Sequence, residues 1–191
     1  PANENQALNK KQERFISLPV QIKLQNDAKC AAIAENEYGV LKEYKDSIFL
    51  TLGTGIGGAL IQNKKLIEGK QFSGYEFGHM TIDINGEQCK CGKKGCFELY
   101  GSMKKFKARL KEEMGLSDFT HGEQLLDLLK YDRVLERHDE RLKKVVDEYI
   151  GNLAIGISNL VNIFEPDAIG IGGSFSYFED YLLESLKNRI L

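Results

Sequence analysis

The sequence predicts an α/β fold, and three observations carry that reading. An alternating segment, Val20–Leu24, reads as a strand and leads into an alanine-rich helix over Ala28–Tyr38. The apolar run Ser47–Leu52 enters a glycine-rich turn and leaves it as a second strand, Ala59–Gln62. A long helical stretch within Glu136–Phe164 is broken by Pro166, and a further strand, Asp167–Ile171, follows. Strands interleaved with helices define the class.

The remaining elements follow in order. Residues Ala2–Ser17 are polar and read as a helix ending before Pro19, or as a linker. Asp27 reads as the cap of the first helix, and Gly39 as its stop. Asn63-Lys64 makes a turn into Lys65–Ile67. Gly69–Gly78 is a loop feeding a short strand, Met80–Ile84, and a cysteine-rich loop spans Cys89–Cys96. Helices are expected over Ser102–Met114 and Gly122–Lys130, and a last one over Tyr177–Ile190 after the turn Gly172-Gly173-Ser174. There is no internal repeat and no low-complexity run.

Composition narrows the class. The chain has 191 residues, a formal net charge of -2, 42% hydrophobic and 28% charged residues. That is an ordinary globular balance with enough length for a real core. Near-neutral charge argues against bulk attraction to nucleic acid or to a membrane surface. The longest apolar stretches, Ile48–Leu52 and Ile155–Val161, are too short to span a bilayer. No secretory signal is visible at the start, and the chain opens on Pro1, so the natural start is expected upstream.

Three of the four cysteines crowd into Cys89-Lys-Cys91-Gly-Lys-Lys-Gly-Cys96, with His79 ten residues upstream of the first. Zinc takes four tetrahedral nitrogen and sulfur ligands, and Cys3His is a common structural set. Gly92 and Gly95 let the backbone curl, and Lys90, Lys93 and Lys94 favour thiolates. Free buried cysteines or a disulfide are the alternatives. The lysine-rich, enzyme-like chain favours a metal site in a reducing cytoplasm. Cys30, among alanines, reads as a small core residue.

The segment Gly53-Thr54-Gly55-Ile56-Gly57-Gly58 formally satisfies the G-x-G-x-x-G pattern. That pattern needs a following helix, and a strand follows here, so a dinucleotide site is rejected. The lysine of a Walker loop is also missing. A strand–glycine–strand hairpin still offers unshielded amides and the Thr54 hydroxyl to phosphate. A plain tight hairpin is the alternative, and four glycines in six residues exceed its needs. Asn26-Asp27 ends a strand and opens a helix, a usual place for a site residue, although Asp27 taken alone is an N-cap. Glu76 and Glu98 are tethered to the cysteine loop, where a bound metal would fix their positions.

Five motifs in this order resemble the ROK family, which groups bacterial sugar kinases with sugar-responsive repressors. They are Asn26-Asp27-Ala28, Gly53-Thr54-Gly55-Ile56-Gly57-Gly58, Glu76-Phe77-Gly78-His79, the cysteine loop through Glu98, and Gly172-Gly173-Ser174. The match runs from about Leu18 to the end. The resemblance implies an actin-like, hexokinase-like ATPase lobe, with a ribonuclease H-like mixed sheet, flanking helices and a zinc-binding loop. It implies Asp27 as general base, and Asn26, Glu76, His79 and Glu98 as the sugar's hydrogen-bonding shell. Gly53, Thr54, Gly55, Gly57 and Gly58 become a phosphate hairpin, and Gly172 and Gly173 part of an adenosine pocket. The metal ligands are His79, Cys89, Cys91 and Cys96, around structural zinc, and the cosubstrate is ATP with magnesium.

Two departures accompany the resemblance. The family's first phosphate motif is absent, with the lobe that carries it, and the chain stops soon after Gly173. Residues 1–18 are therefore expected to be a helix or linker remnant, and 19–191 the larger lobe, short at both ends and inactive alone. The second departure is Tyr75, where the family usually has glycine. The implied function is phosphorylation of a hexose or N-acetylhexosamine, glucokinase-like or N-acetylmannosamine kinase-like. The alternative is the sugar-sensing domain of a repressor. A cytoplasmic homodimer without membrane contact is expected, with nucleic acid a partner only of the repressor.

Overall fold

The computed structural model describes residues 23–69, 74–115, 127 and 139–190. The elements are α1 (Asp27–Tyr38), β1 (Ser47–Leu52), β2 (Ile56–Gln62), β3 (Lys65–Leu66), α2 (Glu98–Gly101), α3 (Met103–Met114), α4 (Glu140–Phe164), β4 (Ala168–Gly172) and α5 (Glu179–Ile190). Short 3-10 turns cover Phe77–His79 and Gly173–Phe178. The sheet order is β3-β2-β1-β4, antiparallel between β1 and β2 and between β2 and β3, and parallel between β1 and β4. The α/β expectation, with a mixed sheet, holds.

β1 is the centre of the sheet, and its sequence shows why. Ile48, Phe49, Leu50 and Leu52 are all buried, so both faces are covered, and a doubly covered strand reads as a continuous apolar run. Ile48, Leu50 and Leu52 join Phe97, Phe106, Leu153 and Phe178 in the main core under α3, α4 and α5. Phe49 and Ala59 face the other way, onto Ala32 of α1 and Leu41. Helices therefore lie on both faces of the sheet.

Local chemistry fixes the ends. Asn63 and Lys64 both take positive φ, 50° and 63°, the pair of left-handed conformations that turns β2 into β3. Ser102 caps α3 by accepting from Lys105 N, and Asp139 caps α4 by accepting from Arg141 N. Glu165 closes α4 in a left-handed conformation, directly before Pro166.

Several expectations are corrected. Asn26, not Asp27, is the N-cap of α1: its side chain accepts from Ala28 N and Lys29 N, and Asp27 is the first helical residue. Asn and Asp cap equally well, so the sequence does not choose between them. Cys30 is exposed rather than in the core. Lys23 and Leu24 lie outside any strand, and residues 20–22 lie outside the described residues. Met80–Ile84 contributes a single bridge, Thr81 to Cys96, rather than a strand. Gly57 and Gly58 belong to β2, so the turn itself is only Gly53–Gly55. The last helix begins at Glu179, after a 3-10 segment. The expected segment 1–18 is outside the described residues, as is the helix Gly122–Lys130 apart from Asp127.

Candidate functional site

The cysteine loop folds on its own backbone. Cys89 N donates to Lys93 O at 2.8 Å, Gly92 N to Cys89 O at 3.0 Å and Gly95 N to Glu87 O at 2.8 Å. Gly95 is required twice over. Its φ is +64°, and a Cβ there would lie 1.6 Å from Asp83 O. The result is a compact knuckle beside the 3-10 turn that ends at His79.

The four donor atoms of His79, Cys89, Cys91 and Cys96 all lie within 4.8 Å of one another. Cys91 Sγ and Cys96 Sγ are 3.5 Å apart, and Cys89 Sγ is 3.7 Å from His79 Nδ1. A tetrahedral zinc with Zn–S near 2.3 Å has ligand–ligand edges of about 3.8 Å, so the donor set fits that ion in type, number and spacing. Cys89 and Cys96 are buried and Cys91 is exposed. Burial pushes the Cys96 thiol up to about 12, while the Lys93 backbone N–H lowers Cys91. Three thiolates and a neutral imidazole would leave the filled site with one excess negative charge, and Lys90, Lys93 and Lys94 flank it.

The other candidate residues gather at one end of the sheet. Parallel β1 and β4 finish side by side, Thr51 opposite Gly172, so the turn Gly53–Gly55 and the pair Gly172-Gly173 share their carboxyl ends. Open α/β sheets bind ligands at such ends. Gly173 has φ +80°, and a Cβ there would sit 2.8 Å from Leu52 O. A Cβ on Gly57 would meet Ala28 Cβ at 2.8 Å, so the first turn of α1, with exposed Asn26 and Asp27, packs directly on the hairpin. A Cβ on Gly58 would meet Phe77 Cδ2 at 2.8 Å, and one on Gly78 would meet Ile56 O at 2.3 Å, which seats the Glu76–His79 segment on β2. Two of the four hairpin glycines are thus explained by close packing.

The turn is held from the cysteine-loop side. Glu98, the first residue of α2, accepts from Ile56 N at 3.2 Å and pairs with Lys90 Nζ at 3.2 Å. That pairing raises Lys90 above its ordinary value, the hydrogen bond first and the charge of Glu98 next. Lys104 N reaches Gly53 O at 3.3 Å, and Gly53 N donates to Gly55 O at 3.0 Å. Glu76 is exposed and has no side-chain partner among the described residues. Tyr75 takes φ +65°, a conformation suited to glycine, and its ring sits edge-on to Phe77 at 6.5 Å. Sequence reasoning missed Lys90 as a partner of Glu98. Its position between Cys89 and Cys91 is the one signal available.

The model of the ROK family matches residues 1–191, the whole chain. The chain belongs to the ROK family. Among curated ROK relatives, the xylose repressor of Bacillus spizizenii (strain ATCC 23059 / NRRL B-14472 / W23) is 34% identical over 180 residues, covering 94% of this chain and 44% of the repressor. The N-acetyl-D-glucosamine kinase of Escherichia fergusonii is 35% identical over 167 residues, covering 82% of this chain and 52% of the kinase. The chain spans about half the length of the curated relatives it matches. A solved ROK family glucokinase from Streptomyces griseus, in complex with glucose and AMPPNP, superposes with a TM-score of 0.74 at 26% identity, over 92% of this chain and 59% of that one. The fold is that of the ROK sugar kinases, and the relatives divide between kinases and repressors.

Proposed function

We propose that residues 19–191 form the larger lobe of an ATP-dependent kinase for a hexose or N-acetylhexosamine. The observation that carries this reading is the packing of α1 on the glycine hairpin. Ala28 lies against Gly57, which seats the start of α1, with exposed Asp27, on the hairpin read as the phosphate cradle. Phosphoryl transfer is mostly positioning and charge stabilisation, with one carboxylate to orient the attacking hydroxyl. Asp27 orients the sugar hydroxyl and takes its proton. Asn26, Glu76, His79 and Glu98 hold the remaining hydroxyls. With Nδ1 of His79 turned to the thiols, its Nε2 is left for the sugar.

Gly53, Thr54 and Gly55 of the turn approach the phosphates, Gly57 and Gly58 behind it let α1 and Phe77 pack close, and Gly172 and Gly173 flank the adenosine. Magnesium-bound ATP supplies the phosphoryl group when bound. His79, Cys89, Cys91 and Cys96 hold structural zinc, whose four protein ligands leave no position for chemistry. The cytoplasm suits three reduced thiols. A coupled ADP-release assay of the full-length protein on a hexose panel tests the kinase. Sugar-dependent turnover is expected, and none with any sugar would overturn it.

A sugar-sensing lobe of a repressor is the second reading. The xylose repressor relative supports it, as does the turn itself, where Gly53 N and Ile56 N already donate to Gly55 and Glu98. Sugar binding without turnover, together with sugar-dependent DNA affinity of the full-length protein, would favour it.

A further inference from the structure

We propose that Glu98, beside its place in the sugar's shell, latches the cysteine loop to the glycine turn, so that metal occupancy sets the conformation of Gly53–Ile56. Its nucleotide arm rests on the phosphate reading of that turn.

Each oxygen of Glu98 has a separate task. Oε2 accepts the backbone N–H of Ile56 at 3.2 Å, the residue where the turn becomes β2. Oε1 meets Lys90 at 3.2 Å, and Lys90 lies between two of the candidate metal ligands. Position 55 is built around this contact, because a Cβ on Gly55 would lie 2.3 Å from Glu98 Oε2. Gly55 has no positive φ, and its bare backbone leaves room for the carboxylate in this position.

The carboxylate cannot drift away from the metal loop. Cys96 is two residues before it, and Phe97 N is pinned to Met80 O at 2.7 Å. On the far side, Lys104 N holds Gly53 O at 3.3 Å. The segment that follows the last cysteine therefore grips both ends of the turn. A metal ion that draws Cys89, Cys91 and Cys96 onto fixed positions fixes Lys90 and Glu98 with them. Two sites joined in this way influence each other reciprocally. Metal favours one shape of the turn, and a ligand on the turn favours retention of the metal.

The test follows the Ile56 amide by NMR in zinc-loaded, nitrogen-15-labelled protein. Removing zinc with a chelator is expected to shift the Ile56 resonance and to remove its protection from hydrogen exchange. Glu98→Ala should do the same with zinc still bound, whereas Glu98→Gln, which keeps an oxygen acceptor, should stay near wild type. An Ile56 resonance unmoved by both zinc removal and Glu98→Ala would overturn the latch. If the zinc-free protein unfolds, exchange of zinc for cadmium keeps the site filled with a larger ion, and an unmoved Ile56 then overturns the coupling. Calorimetry with ADP reads the other direction: affinity should fall by about fivefold or more without zinc. Absence of ADP binding in every form would overturn the phosphate reading alone, since the Ile56 resonance still decides the latch.

Discussion

The ring of Phe97 occupies the space that a side chain on Gly156 would need: a Cβ there would lie 2.4 Å from Phe97 Cζ. Phe97 is fully buried and stands between Cys96, one of the candidate metal ligands, and Glu98. Gly156 lies within α4, so the long helix carries a notch that receives the residue at the heart of the metal loop.

Gly156→Ala sets two effects against each other. Alanine within a helix gains about 1 kcal/mol over glycine. Overpacking a core typically costs about 1–3 kcal/mol, and the Phe97 ring here is fully buried. The clash should win, lowering the melting temperature by several degrees in calorimetry. An unchanged or raised value would mean that the notch is slack.

Asn26→Ala should cost about 1 kcal/mol of stability, since it removes the side-chain acceptor of Lys29 N and one of the two that serve Ala28 N, which also donates to Asp27 Oδ1. Asp27→Ala should cost less, because Asp27 lies inside the helix and its interaction with the helix dipole is worth a few tenths at an exposed site. Urea titration of both variants checks the order.

Tyr149 gives a pH dependence with a definite sign. Burial raises its phenol far above the ordinary 10.0, and among the described residues its hydroxyl meets only the Met103 thioether, at 3.2 Å. The unfolded phenol ionises near 10 while the folded one stays protonated. Its contribution is therefore complete below pH 10 and is lost as pH rises beyond it. Tyr149→Phe should flatten the fall in stability between pH 10 and 11 relative to wild type. It should cost little at pH 7, because the hydroxyl has no strong partner to lose.

Elemental analysis should find about one zinc per chain, as four ligands require. Acidification should release it, because protons compete for the three thiolates. Cys96→Ser should lose the metal and lower the melting temperature. Retention of full zinc by that variant would remove Cys96 from the ligand set.

Much of the fold is legible in the sequence for identifiable reasons. β1 is apolar on both faces because it is covered on both, and the cysteine spacing reads as a metal knuckle because few other structures need it. Other features leave no such trace. A run of glycines looks the same whether it admits a ligand or a neighbouring chain, so Gly57 and Gly58 read as cradle when their Cβ positions are filled by Ala28 and Phe77. Alanines around Cys30 give no contrast between faces, which hides its exposure. The meeting of Glu98 with Ile56 spans 42 residues and depends on how the loop folds back.

The most direct measurement is ADP release by full-length Asp27→Asn, read beside its sugar affinity. Loss of turnover by about a hundredfold or more, with sugar affinity retained, is the result expected of a general base. Turnover kept at the wild-type rate, or lost only because sugar no longer binds, would contradict the assignment of Asp27 and the kinase mechanism built on it.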